Sequence, residues 1–275
     1  MPRFVNRRPG RAARVILAAL PFALAIGAYA IGSHIRLSEN PNDKLLPSFT
    51  ALADGFTRFA IEPDRRTGDI LLWVDTLASL SRLAAGIALS TLLGLVVGIG
   101  VGLLPYVRAS MAGFLAVLSM IPPLSVLPIL FIVFGLGELS KVMLIVFGVA
   151  PFLMRDIALR VGELPAEQIV KAQTLGASTW QIITRVVLPQ VWPRLIDAVR
   201  LSLGAAWLFL IAAEAIASES GLGYRIFLLR RYLAMDVILP YVAWITLLAF
   251  TFDWALRHLQ ARAFPWFAGE GRGRS

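Results

Sequence analysis

Long apolar runs, separated by shorter polar segments, organise this sequence. There are six such runs, at about 15–32, 76–104, 111–134, 142–159, 196–217 and 237–256. Each is close to the roughly 20 residues that an α-helix needs to cross a bilayer. Because a helix satisfies its own backbone hydrogen bonds in lipid, the pattern predicts an all-α polytopic membrane protein with about six transmembrane helices.

The composition favours the same class. Of the 275 residues, 58% are hydrophobic and 16% are charged, whereas soluble domains average about 45–50% apolar residues. The chain has no cysteine, which excludes disulfides, thiolate metal sites and cysteine nucleophiles. The net charge of +9 indicates loops that face anionic membrane lipid. We therefore expect no nucleic-acid partner.

The polar segments divide the chain into five predicted regions. Residues 1–14 are a basic cytoplasmic N-terminus, and 15–32 are a first transmembrane helix that lacks the cleavage site of a signal peptide. Residues 33–75 are a periplasmic loop with an amphipathic segment, 76–258 are a five-helix transport core, and 259–275 are a cytoplasmic tail. Lys and Arg are more frequent in the segments assigned to the inside, which favours cytoplasmic N- and C-termini.

Small residues form a regular stripe in the second apolar run. They recur every four positions, at Gly86, Ser90, Gly94, Gly98 and Gly102. This spacing places them on one face of a helix, where a second helix can approach closely. The stripe therefore predicts a helix-packing face.

The third apolar run contains three prolines: Pro122, Pro123 and Pro128. Proline frees backbone carbonyls inside a helix, and such backbone is tolerated where it is buried in protein or lines a cavity. We interpret the run as a single kinked helix. Two roles remain open for it, lining the solute pathway or bending to improve packing.

Glu214 is the acidic residue most deeply set in an apolar run. A charged side chain at membrane depth usually faces the interior of a bundle or water. Glu214 could therefore line the pathway or hold a gate contact. Alternatively, it could be structural and pair with Arg82 or Arg225. No acidic residue in these runs has a neighbouring His or second carboxylate at metal-ligand spacing, so no metal site is predicted.

The longest polar interruption of the second half, residues 161–193, predicts two short helices. Pro165 suits a first helical turn, Gly176 can end that helix with a positive φ, and Ser178 or Thr179 can cap the second. Pro189 and Pro193 then end the second helix or bend it into the next one. The product is a helix-turn-helix with a small elbow at residues 176–178, which can enter a groove on a partner.

This segment resembles the cytoplasmic loop of the membrane subunits of binding-protein-dependent ABC importers. The resemblance lies in Ala172, in Gly176, and in the Leu188-Pro189 pair that follows at the expected distance. The family's glutamate and first alanine are replaced by Val170 and Lys171. The fuller pattern, together with the Ser-Gly-Leu-Gly-Tyr sequence at 220–224, is similar to the nitrate, sulfonate and taurine branch.

The resemblance implies the type I ABC importer permease fold, with 161–193 as the coupling loop. Its coupling residues would be Ala172, Leu175, Gly176, Ala177, Leu188 and Pro189. The implied partners are two copies of an ABC ATPase subunit, an external solute-binding protein and a second copy of this chain, with nitrate, a sulfonate or taurine as solute. The sequence lacks a Gly-x-x-x-x-Gly-Lys-Ser/Thr loop, so ATP hydrolysis belongs to another subunit and no cofactor is expected.

Two other functions compete with this interpretation. A self-contained secondary transporter would usually show internal repeats, and no convincing repeat relates the two halves of the chain. An intramembrane enzyme would need a paired nucleophile and base or a metal set within the spans, and none is found.

Overall fold

The computed structural model describes residues 10–41 and 43–267. These residues form eleven α-helices and no strand: α1 (Arg11–Glu39), α2 (Phe49–Ala60), α3 (Leu71–Leu103), α4 (Pro105–Leu118), α5 (Pro123–Phe134), α6 (Glu138–Gly162), α7 (Ala166–Thr174), α8 (Thr179–Ile182), α9 (Leu188–Ala217), α10 (Leu222–Arg230) and α11 (Met235–Ala263). Five helical stretches in the described part are long and apolar enough to span a membrane, or six if α4 and α5 count as one bent span. The predicted all-α membrane architecture is confirmed.

The centre of the molecule is the pair formed by α3 and α6. Gly86, Gly94, Gly98 and Gly102 of α3 lie against Ile145, Leu153, Ile157 and Val161 of α6, and a Cβ added at any of these glycines would come within 2.5–2.8 Å of its partner's side chain. The contacts advance together along both helices, so α3 and α6 are parallel. Ser90, in the same stripe, is fully buried.

Because α3 and α6 are parallel, the chain must return between them, and α4 and α5 make that return. The two helices are bent by 98° relative to each other at the break that contains Pro122. The prediction of one kinked helix over 111–134 is therefore wrong. Residues 105–108, which lie between two apolar runs, open α4, since Pro105 is tolerated in a first helical turn.

The alternation of helix directions gives the bundle two ends. We call the end at which α3 and α6 terminate the loop end, and the end at which they begin the far end. There α1 is tied to the segment before α2, because the Tyr29 hydroxyl donates to the Pro47 carbonyl at 2.7 Å and Ser33 donates to the Leu46 carbonyl at 3.0 Å. The amphipathic helix α2, capped by Ser48, packs on the start of α11.

Several helices extend beyond the apolar runs that predicted them. Helix α1 continues to Glu39, α3 begins at Leu71, and α6 begins at Glu138. The additional turns of α3 and α6 carry buried charged residues such as Asp75 and Lys141. Hydropathy alone cannot assign these turns to the bundle, because their charges are paired inside the protein.

Candidate functional site

The elbow at Gly176 is built by local backbone geometry. Helix α7 follows Pro165 and ends near Thr174, and Gly176 has a φ of +80°. The Ala177 N–H then donates to the Ala172 carbonyl at 3.0 Å. A left-handed glycine of this kind is a common helix ending because it lacks the Cβ that other residues would have to accommodate.

The second helix of the loop begins with a capping box. The Ser178 hydroxyl accepts a hydrogen bond from the Gln181 N–H at 3.3 Å, while the Gln181 side chain accepts one from the Ser178 N–H at 2.8 Å. This reciprocal pair satisfies two backbone donors at the helix start. The elbow is therefore a defined structure and not a loose connection.

The loop presents an apolar tip to its surroundings. Leu175 is 81% exposed, Trp180 is 70% exposed and Val170 is 54% exposed. Ala172 and Ala177 instead pack on the core, and Ile182 is buried. Small residues thus bring the elbow close to the bundle, while large apolar side chains point away from it.

Leu188 and Pro189 do not end the second helix. Helix α8 continues through a π-helical segment, Ile183–Val187, directly into α9, so that the Leu188 N–H donates to the Ile183 carbonyl five residues earlier. Two outcomes were predicted for Pro189 and Pro193, a helix end or a bend into the next helix. The helix end is wrong, because the chain continues into α9. Pro189 is accommodated because it lies in the first turn of α9, directly after the wider π turn, while Pro193 lies inside α9.

The loop is fastened to the bundle at its base. The Gln190 side chain donates to the Gln168 side chain at 2.9 Å, linking α9 to α7. Arg194 donates to Glu163, just after α6, at 2.9 Å. Displacement of the elbow would therefore be transmitted to both α6 and α9.

At the far end, Glu214 is fully buried in a network of polar side chains. Its carboxylate accepts hydrogen bonds from Arg82 at 2.7 Å, from Ser79 at 2.8 Å and from the Gly223 N–H at 2.9 Å. Arg82 also binds Glu138, which in turn accepts from Lys141 at 2.8 Å. Of the two arginines considered for Glu214, the structure selects Arg82.

The other arginine, Arg225, pairs with Asp75 at 2.8 Å. Asp75 is fully buried and also accepts from the Gly221 N–H at 2.9 Å. Gly221 has a φ of +123°, and a Cβ there would lie 2.5 Å from the Glu214 side chain. The backbone of the Ser-Gly-Leu-Gly-Tyr segment therefore covers this charge network and donates hydrogen bonds to its carboxylates.

Sequence reasoning missed most of this network. Asp75, Ser79 and Arg82 bind the segment that follows α9, yet only Arg82 was considered, as one partner for Glu214. Their spacing of four and then three residues places all three on one helical face. That polar face inside an apolar helix was the available signal.

The predicted pathway residues are not brought together. Pro123 lines a cavity of about 430 Å³ beside the bend between α4 and α5, which is also lined by α6 and by Phe209 of α9. Pro122 caps α5 and Pro128 lies inside it, whereas Glu214 is enclosed in the far-end network. Among the described residues there is no group of three or more His, Cys, Asp or Glu that could hold a metal.

Solved structures share this fold. A bacterial alginate ABC transporter chain matches with a TM-score of 0.59 at 14% identity, covering 92% of this chain and 98% of its own. A chain of the inward-facing MetNI methionine ABC transporter matches with a TM-score of 0.57 at 21% identity, covering 70% and 95%.

Sequence relatives extend the comparison. The taurine transport system permease protein TauC of Escherichia coli (strain K12) is 39% identical over 72% of this chain and 72% of its own. A probable ABC transporter permease protein of Brucella melitensis is 30% identical over 90% and 95%. The putative aliphatic sulfonates transport permease protein SsuC of Bacillus subtilis is 30% identical over 68% of each chain.

A family profile described as "Binding-protein-dependent transport system inner membrane component" matches residues 90–265, which include the Gly176 elbow and Glu214. The match covers more than half of a chain whose fold is that of ABC transporter permeases. The chain belongs to this family and is a multi-pass membrane permease subunit of an ABC importer.

Proposed function

We propose that the loop of residues 161–193 couples solute transport to ATP hydrolysis in a separate ATPase subunit. The observation that carries this proposal is the exposed apolar tip of Leu175 and Trp180 on an elbow anchored to α6 and α9. Exposed large apolar side chains that group together within a polar surface often mark a protein–protein contact. The coupling set is Ala172, Leu175, Gly176, Ala177, Leu188 and Pro189.

The geometry suggests how movement would pass through the loop. The continuous helix from Thr179 to Ala217 joins the elbow to the far end without a break. When two ATPase subunits close on ATP, their docked elbows would be drawn together. The helices would follow as rigid bodies and switch access from one side of the membrane to the other.

A second copy of this chain would complete the pathway. The cavity lies beside the α4–α5 bend, and α5, whose first turn lines it, carries exposed apolar residues, among them Ile129 and Ile132. A homodimer related by a two-fold axis would enclose the cavities between the copies. Both termini would be cytoplasmic, and an external solute-binding protein would dock at the far end.

The solute would be a small anion or organic acid. TauC is named for taurine and SsuC for aliphatic sulfonates, and both compounds carry a sulfonate group. A nitrate-type or other small anion fits the same class. The chain itself would perform no catalysis and bind no cofactor.

The substitution Gly176→Trp tests the role of the elbow. It places a bulky side chain at the proposed docking point, so ATP hydrolysis stimulated by the loaded binding protein should fall by about tenfold or more in the reconstituted complex. The subunit should still insert in the membrane, because a Cβ at Gly176 meets no atom within 4 Å.

Gly135→Trp is the matched control. Gly135 also has a positive φ, of +75°, and open space around its Cβ, but it lies between α5 and α6 at the far end. The control also places Trp on a backbone with positive φ, and it should keep its ATPase partner on co-purification, a readout that does not depend on the binding protein at the far end. Normal stimulation in the Gly176 variant, with the control equally normal, would refute the coupling role.

A further inference from the structure

Arg155 lies in a membrane-spanning helix, and its charged side chain faces a cavity. It lies in α6, seven residues before the helix ends at Gly162, or about 10 Å along the axis. It is exposed on the surface of the single chain. It lines both the cavity of about 430 Å³ at the α4–α5 bend and a second cavity of about 550 Å³ that continues toward the loop end.

The guanidinium of Arg155 is held by a neutral partner. It donates to the Ser119 hydroxyl at 2.6 Å, and Ser119 lies in the break between α4 and α5. In the described part of the chain no salt bridge links Arg155 to an acidic residue, so its charge is not cancelled there. A neutral hydroxyl positions the guanidinium while leaving its positive field available.

The neighbouring charges are already engaged. Asp156, in the first cavity, lies 3.5 Å from Arg160. In the second cavity, Glu163 pairs with Arg194, and Arg108, which also has neutral partners, is held by backbone carbonyls, including that of Val101 at 3.1 Å, and does not reach the first cavity. Arg155 is therefore the cation that the two cavities share.

An unpaired arginine at this depth is costly unless it meets water or an anion. The planar guanidinium can bind two oxygens of a sulfonate or carboxylate at once, which a point charge cannot do with the same geometry. Pro123, at the first turn of α5, lies in the same cavity, so the positive end of that helix adds to the field there.

We propose that Arg155, positioned by Ser119, is an anion-binding residue of the translocation cavity and recognises the sulfonate or carboxylate group of the passing solute. The inference rests on the proposed function, since it assumes that these cavities form the solute pathway. Ser119 and the anion would exchange as partners of the guanidinium. The cavity would then contribute selectivity of its own, for negative charge.

The absence of native cysteine makes a direct test possible in intact membranes. In a Ser119→Cys variant, the new thiol is the only one in the chain and lies beside Arg155. We expect an anionic methanethiosulfonate reagent to label it about fivefold faster than a cationic one of similar size. The preference should vanish in Ser119→Cys/Arg155→Gln and persist in Ser119→Cys/Arg185→Gln, which removes an exposed charge at the loop end outside both cavities.

The outcomes of labelling separate the possibilities. An anionic preference that depends on Arg155 supports the proposal. Equal rates for the two reagents, or a preference that survives Arg155→Gln, would overturn it. A thiol that neither reagent reaches would also overturn it, because the cavity would then be filled by lipid or by a dry interface.

Transport gives the second readout. In proteoliposomes containing the full complex, Arg155→Gln should reduce uptake of radiolabelled taurine or ethanesulfonate by about tenfold, and Arg155→Lys should retain part of it. Unchanged uptake in Arg155→Gln would refute the role of Arg155, whereas absence of ATP-driven uptake in the unmodified complex would refute the proposed function instead.

Discussion

At the far end of the molecule, the structure around Glu214 depends on the small size of one residue as well as on the charges of others. Arg82 bridges Glu138 and Glu214, and Gly221 lets the chain pass directly over the Glu214 carboxylate. Buried ion pairs contribute little by themselves, but leaving one partner unpaired costs several kcal/mol. Glycine is thus required at position 221, because any side chain there would push the segment 220–224 away from the Glu214 carboxylate.

Gly221→Ala tests this requirement. The new Cβ would lie 2.5 Å from Glu214 in a backbone conformation, with a φ of +123°, that alanine rarely adopts. We expect the free energy of unfolding in detergent to fall by about 2–5 kcal/mol, seen as a lower thermal midpoint. Gly204→Ala in α9, where no atom lies within 4 Å, is the control and should be neutral or slightly stabilising. Equal midpoints for the two variants would contradict the proposed role of Gly221.

At the level of secondary structure, the sequence predicts where the helices lie, but it predicts only part of how they pack and bend. The four-residue spacing of the stripe predicts which face of α3 carries small residues. It does not predict that α6 packs on that face or that the two helices are parallel. Three prolines indicate a disturbed third span, yet their number carries no information about a 98° bend. Pro189 suggests a helix end, whereas tertiary packing and the π-helical segment carry the helix through it.

Gly98→Ala tests the packing of α3 on α6. An added Cβ would lie 2.8 Å from the Ile157 Cβ and 2.9 Å from the Met154 carbonyl oxygen, and a backbone atom cannot move aside cheaply. We expect a loss of about 1–3 kcal/mol in unfolding free energy, measured by denaturant titration in detergent. Gly113→Ala in α4 meets nothing within 4 Å and should cost nothing. A Gly98 variant as stable as the Gly113 variant would show that the close approach is unimportant.

For the whole molecule, the two ends differ in character. At the far end, ion pairs and hydrogen bonds around the buried Glu214 hold the helices together. At the loop end, Leu175 and Trp180 are exposed on the elbow. This contrast fits a subunit whose loop end receives a partner. The family assignment decides between the functions considered from sequence in favour of the importer subunit.

We propose that this permease works only with a separate ATPase docked on its loop. The most direct test is purification of the chain from its native membrane in mild detergent, with mass spectrometry of the intact complex. We predict two copies of this chain and two copies of an ATPase that contains a phosphate-binding loop. Recovery of the chain alone, under conditions that preserve other membrane complexes, would contradict the claim.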